Sequence, residues 1–133
     1  MAKGREGHEA KLAHLNSFGR ELARRSKSKC ELCEAGGEKL VIFVVPPEPK
    51  LPDIDRCLLL CESCRDQAAE VKRFKAGEQW RVLARTAWSP VLMAQVLAVR
   101  LLRRQAASQA WAREALDLLY LDDEIEALVT EEV

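Results

Sequence analysis

The 133-residue sequence has no excess charge of either sign, since 21 Lys and Arg balance 21 Asp and Glu. A strongly basic nucleic-acid binder is therefore not the default reading. Long apolar runs are missing too. The richest, Val91 to Leu102, is interrupted by Gln95 and Arg100 and falls well short of the ~20 residues needed to span a bilayer. Met1 leads into Lys3, Arg5, Glu6 and His8 with no apolar stretch of signal-peptide length, so the expectation is a cytoplasmic chain, away from membranes, whose thiols stay reduced. Histidine is nearly absent. His8 and His14 stand about 240° apart around a helix and cannot share a metal on one face. No internal repeat is visible.

What is present is 48% hydrophobic and 32% charged residues, a composition that excludes wholesale disorder. The length is one domain's worth, enough to bury a core without a dense set of disulfides. The zero net charge hides an asymmetry. Residues 1–29 carry eight basic and three acidic side chains, a net of +5, while residues 114–133 carry eight acidic and no basic ones, a net of −8. Opposed ends of this kind can face each other within a fold or between subunits.

Along the chain, Leu12, Leu15, Phe18 and Leu22 recur at helical spacing, predicting one basic amphipathic helix from about Glu6 to Lys27. The β-branched run Leu40 to Val45, bounded by Gly36-Gly37 and Pro46-Pro47, reads as a strand. Four of the five prolines fall between Pro46 and Asp55, which must be a loop. Cys57 to Leu60 reads as a second strand, and a helix is expected from Cys61–Cys64 to about Lys75. Gly77 breaks it. Beyond lie helices at Glu78–Trp88, Val91–Arg104, Ser108–Tyr120 and Asp122 to about Val129, with Ser89 and Asp122 as N-caps and Pro90 in the first turn. Trp80, Trp88, Trp111 and Tyr120 read as core anchors, and Arg100, Arg103 and Arg104 as complements to a helix C-terminus.

Two Cys-x-x-Cys pairs, Cys30/Cys33 and Cys61/Cys64, carry the sharpest chemistry. A two-residue spacer turns both thiolates toward one ion, and two such knuckles supply the four soft ligands of a closed tetrahedral Zn²⁺ site. The 27 intervening residues are accounted for by a hairpin with a Pro-rich tip. A redox Cys-x-x-Cys would be single and would sit in a βαβ unit, which is absent; an iron–sulfur cluster is the other reading of four thiolates. A closed site has no open position to activate water, so one structural zinc is expected. Cys57 reads as a small buried hydrophobe.

The order knuckle, hairpin, knuckle, helix resembles a treble-clef zinc module and the scaffold of the H-N-H nucleases. The catalytic positions of that scaffold are replaced: the strand ends Ile42-Phe43-Val44-Val45-Pro46, Arg56 stands where an asparagine would, and Arg65 where a final histidine often is. No imidazole base or hard-metal site is visible for phosphodiester hydrolysis. Lys29-Cys30-Glu31-Leu32-Cys33, Cys57 to Cys64, Gln79-Trp80-Arg81, Trp88-Ser89-Pro90-Val91 and Leu118 to Glu124 together resemble the bacterial PhnA-like zinc-ribbon proteins. Glu34, where a knuckle glycine is common, and Arg65 depart from that pattern. The resemblance implies a fold and a metal, and it argues against a hydrolase.

The reading is an α+β, mostly α chain: a basic N-terminal helix (1–29), a four-cysteine zinc module (30–76) and a C-terminal helical part (77–133). Its expected role is non-enzymatic binding to an unidentified protein partner, with zinc held by Cys30, Cys33, Cys61 and Cys64. The alternative is nucleic-acid binding through Arg20, Arg24, Arg25, Lys27, Arg65, Lys72, Arg73 and Lys75; a degenerate nuclease-like enzyme comes third. The Val91–Leu102 helix, apolar around more of its surface than a small monomer covers, predicts a homodimer centred on the C-terminal helices with opposed charges at its rim.

Overall fold

A computed structural model describes residues 2–70 and 74–131, with side chains from residue 9 onward. Among the described residues there are seven α-helices and one antiparallel hairpin. The helices are α1 (Ala2–Asn16), α2 (Gly19–Ser26), α3 (Glu62–Ala69), α4 (Leu83–Thr86), α5 (Leu92–Gln105), α6 (Ala110–Asp117) and α7 (Asp123–Thr130). The hairpin pairs β1 (Leu40–Val44) with β2 (Cys57–Cys61), Leu40 opposite Cys61 and Val44 opposite Cys57. This is the expected α+β, mostly α architecture. No helix of the described residues is long and apolar enough to cross a membrane.

β2 is buried along its whole length, and β1 is half-buried except for Phe43, which is buried; with packing on both faces, CLLLC and LVIFV are continuous apolar runs rather than alternating ones. Cys57 and Leu59 pack with Leu22 of α2, and Leu15, Phe18, Ile42 and Val44 close that side. Phe43, Leu58 and Leu60 face the larger core, where α5 is central. From Val96 to Leu102 every residue of α5 is buried, covered by α4, α6, α7 and β2 of its own chain. The apolar helix is therefore covered within its own chain rather than left as a free surface.

Several boundaries differ from expectation for identifiable reasons. The single helix over 6–27 is two, because Ser17 turns its hydroxyl onto the His14 carbonyl (2.5 Å) and Gly19, a weak helix former, follows. The helix after the second knuckle ends at Ala69 rather than Lys75. The Lys75 carbonyl accepts from Gln79 Nε2 (2.8 Å) and Trp80 Nε1 (3.0 Å), and its N–H donates to Gln67 Oε1 (3.1 Å), so tertiary partners take the groups that a helix would use. The helix expected over Glu78–Trp88 is a 3₁₀ turn (Glu78–Trp80) followed by α4. Ser89 does not cap α5. Its hydroxyl accepts from Val91 N–H (3.1 Å) in a turn, and the helix starts at Leu92. Asp122 does cap α7, accepting from Ile125 N–H at 2.9 Å.

Arg100 is a larger correction. It is 2% exposed and lies in the interior instead of tending its own helix end. Its guanidinium donates to the carbonyls of Pro46 (2.6 Å), Leu128 (2.6 Å) and Val129 (3.2 Å), joining the turn after β1 to the last turn of α7. Two of the four expected aromatic anchors are on the surface: Trp80 is buried and Trp111 half-buried, but Trp88 is 59% and Tyr120 90% exposed.

Candidate metal centre

The two knuckles reach one point from different elements. Cys30 and Cys33 lie on the loop between α2 and β1, where the Cys30 N–H donates to Ala35 O and Glu34 N–H to Cys30 O, both at 2.9 Å. The loop closes with Glu34 at φ 68, in the left-handed region that favours glycine. Cys61 ends β2 and stands at the N-cap of α3, with Cys64 in its first turn. The hairpin register delivers Cys61 opposite Leu40, beside the first knuckle.

The four Sγ atoms lie within 4.8 Å of one another. Cys33 Sγ and Cys61 Sγ are 3.8 Å apart, and all the cysteines are free thiols. Sulfurs held about 2.3 Å from a central ion at tetrahedral angles are separated by about 3.8 Å. The cluster thus has the donor chemistry and the spacing of a closed four-thiolate site, and Cys30, Cys33, Cys61 and Cys64 could hold one metal ion.

Electrostatics distinguish the thiols. The hydrogen bond from the Cys64 thiol holds Cys30 down at about 5, with the backbone N–H groups of Cys33, Cys61 and Leu32 assisting against burial. The same bond pushes Cys64 up, and burial adds to it. Burial pushes Cys33 up to about 11. A cation entering the cluster replaces the remaining protons.

Cys57 is not part of this group. It lies at the far end of β2, about 13 Å away at about 3.3 Å per residue, packed with Leu22 and Leu59 on the α2 side. Its Sγ is 3.4 Å from the Asp53 carbonyl, and burial pushes it up to about 11.

The side chains that fix the knuckle were not legible as site residues. Glu31, in the first spacer, pairs with both Arg25 Nη2 (2.7 Å) and Arg25 Nε (2.9 Å) and accepts from Leu59 N–H (2.9 Å). Its own N–H donates to Leu59 O at 2.9 Å, and Arg25 Nη2 reaches Cys57 O at 3.0 Å. Thr86 of α4 donates to Leu32 O (2.7 Å), and Arg85 pairs with Glu34. An acid inside a Cys-x-x-Cys spacer with a free arginine upstream was the one available signal.

The candidate nucleic-acid residues are dispersed. Arg20, Arg24 and Lys27 are exposed on α2 and its C-cap. Arg25 is engaged with Glu31, and Arg65 is half-buried and paired with Asp66 at 3.0 Å. Lys75 lies in a loop, and Lys72 and Arg73 fall outside the described residues. At the positions compared with the H-N-H scaffold, Phe43 is buried in the core and Arg56 donates to the carbonyls of Val45 (3.1 Å) and Pro47 (3.0 Å).

No protein family, curated protein or solved structure matches this chain. The resemblance to PhnA-like proteins rests on the residues quoted for it.

Proposed function

We propose that the chain is a non-enzymatic binding protein whose fold is held by one structural zinc ion on Cys30, Cys33, Cys61 and Cys64. The observation that carries the reading is the cluster of four thiols around one point, all drawn from turns that the rest of the chain braces. Four cysteines fill a tetrahedron and leave no position for water or substrate, so the bound ion would supply folding energy rather than a nucleophile. One small ion at the centre of sulfurs this close suits zinc better than a cluster of several irons, which must spread its thiolates. The sequence likeness to PhnA-like zinc ribbons agrees with this reading.

Zinc would be held by the two knuckles, and the chain's own residues position them. Glu31 and Arg25 lock the first knuckle to β2, Thr86 ties it to α4, and the strand-to-helix junction presents Cys61 and Cys64. Metal analysis of anaerobically purified protein is expected to return about one zinc per chain, with no hydrolysis of phosphodiester or phosphonate substrates. Folded protein without metal, or metal-dependent cleavage abolished by a single substitution, would overturn the reading.

A further inference from the structure

The outer edge of β2 is closed, and the outer edge of β1 is open. Leu59 spends its N–H and its C=O on Glu31, so both point away from β1. Its partner Ile42 consequently aims its own N–H and C=O away from β2, as do Leu40 and Val44 two residues to either side. Among the described residues nothing bonds these groups. Beside this edge runs an apolar groove of about 790 Å³, lined by Leu12, Leu15, Gly19, Ala23, Leu40 and Ile42 among others. On α2, Arg20, Arg24 and Lys27 form the stripe next to Gly19 and Ala23. All three are exposed and make no ion pair among the described residues.

The same chain carries the complement. Leu118 is the helical C-cap of α6, its N–H and that of Leu119 held by Glu114 O and Leu116 O; beyond it Leu119 and Leu121 pack on the core while Leu118 and Tyr120 stand 77% and 90% exposed. The N–H groups of Tyr120 and Leu121 donate to no described residue. Asp117, Asp122, Asp123 and Glu124, all exposed, surround this segment. One surface therefore offers an unpaired strand edge, an apolar groove and free cations; the other offers the unpaired N–H groups of Tyr120 and Leu121, two exposed apolar side chains and a cluster of exposed carboxylates.

We propose that the β1 edge and its groove take the connection between α6 and α7 (residues 119–122) of a second copy of this chain, pairing through the Tyr120 and Leu121 N–H groups as a short added strand. Main-chain hydrogen bonds and the Leu118 and Tyr120 side chains supply the affinity, and the α2 cations steer the acidic segment into place. The inference rests on the binding-protein reading above and gives it a partner. It places the contact away from α5, which is covered within one chain.

Light scattering on the zinc-loaded full chain, at moderate salt and rising micromolar concentration, tests it. The mass should climb from 15.0 kDa to at least twice that. Tyr120→Asp and Leu118→Glu, both at exposed positions, should hold it at one chain with unfolding temperature and zinc content unchanged. Arg20→Glu with Arg24→Glu, and separately Asp117→Lys with Glu124→Lys, should each weaken association, while an equimolar mixture of the two variants restores it. A wild-type mass of one chain throughout, association that Tyr120→Asp leaves intact, or a mixture no better than its components overturns the proposal. Zinc content measured on the same samples tests the underlying reading separately.

Discussion

Each cysteine has a different fate, although the five are alike in the sequence. Cys61→Ser removes a thiolate from the cluster and should abolish stoichiometric zinc, whereas Cys57→Ala should leave metal content unchanged; both are read by metal analysis of purified protein. Cys57 also has a pH signature. Burial raises its pKa from 9.0 to about 11, so the folded state favours the neutral thiol. Its contribution to stability is complete below pH 9 and is lost progressively up to about pH 11. Thermal unfolding across that window should show a decline that Cys57→Ala lacks. Glu34 sits at φ 68 and its ion pair with Arg85 is exposed on both sides. Such pairs contribute little, while a non-glycine left-handed residue costs about 1 kcal/mol. Glu34→Gly should therefore be neutral or stabilising by about 0.5 kcal/mol in chemical denaturation, once the greater unfolded-state freedom of glycine is subtracted.

At the level of elements, legibility followed local chemistry. The hairpin was readable because Gly-Gly, Pro-Pro and β-branched residues punctuate it, and the four ligands were readable because knuckle spacing is a local constraint. The helix ends at Asn16 and Ala69 and the start of α5 after Val91 were not, since they are decided by particular side-chain hydrogen bonds that periodicity does not record, such as Ser17 at the His14 carbonyl and Trp80 at the Lys75 carbonyl. Arg100 shows the same limit. Three residues from an arginine pair at a helix end, it looks like a dipole complement, and only tertiary packing reveals that it serves another helix. Replacing it by Leu would leave three buried carbonyls without this donor and should destabilise the protein by about 3 kcal/mol or more in urea. Arg100→Lys should recover little, because one ammonium cannot match the guanidinium fork. Asp122→Ala, which removes the α7 cap, should cost only about 1 kcal/mol.

Across the whole molecule, the cysteine cluster sits at one end of the hairpin and the Arg100 and Arg56 contacts to the Pro46–Pro47 turn region at the other. The strands between them are enclosed by α2 on one side and the α5 core on the other. If zinc is held as proposed, its removal should release the Cys61 end first, and the loss should spread into both cores. Chelation at neutral pH is expected to expose Trp80, 3% exposed in the fold, and to shift its fluorescence to the red; zinc addition under reducing conditions should reverse the change. Lowering the pH should weaken zinc retention, because protons compete for the thiolates. The sequence also shows the +5 and −8 segments, but charge alone does not reveal that an open strand edge lies near one and that Leu118 and Tyr120 stand exposed within the other.

A hairpin covered on both faces also limits how the chain can be divided. Residues 30–76 contain all four prospective ligands, yet excised they would leave Cys57 and Leu59 bare on one side and Phe43, Leu58 and Leu60 bare on the other. The four-cysteine segment is thus no portable cassette for transplanting into another scaffold. Its four prospective ligands lie within it, while Arg25 and Thr86, which brace the first knuckle, and the helices that cover the hairpin lie on either side of it in the chain.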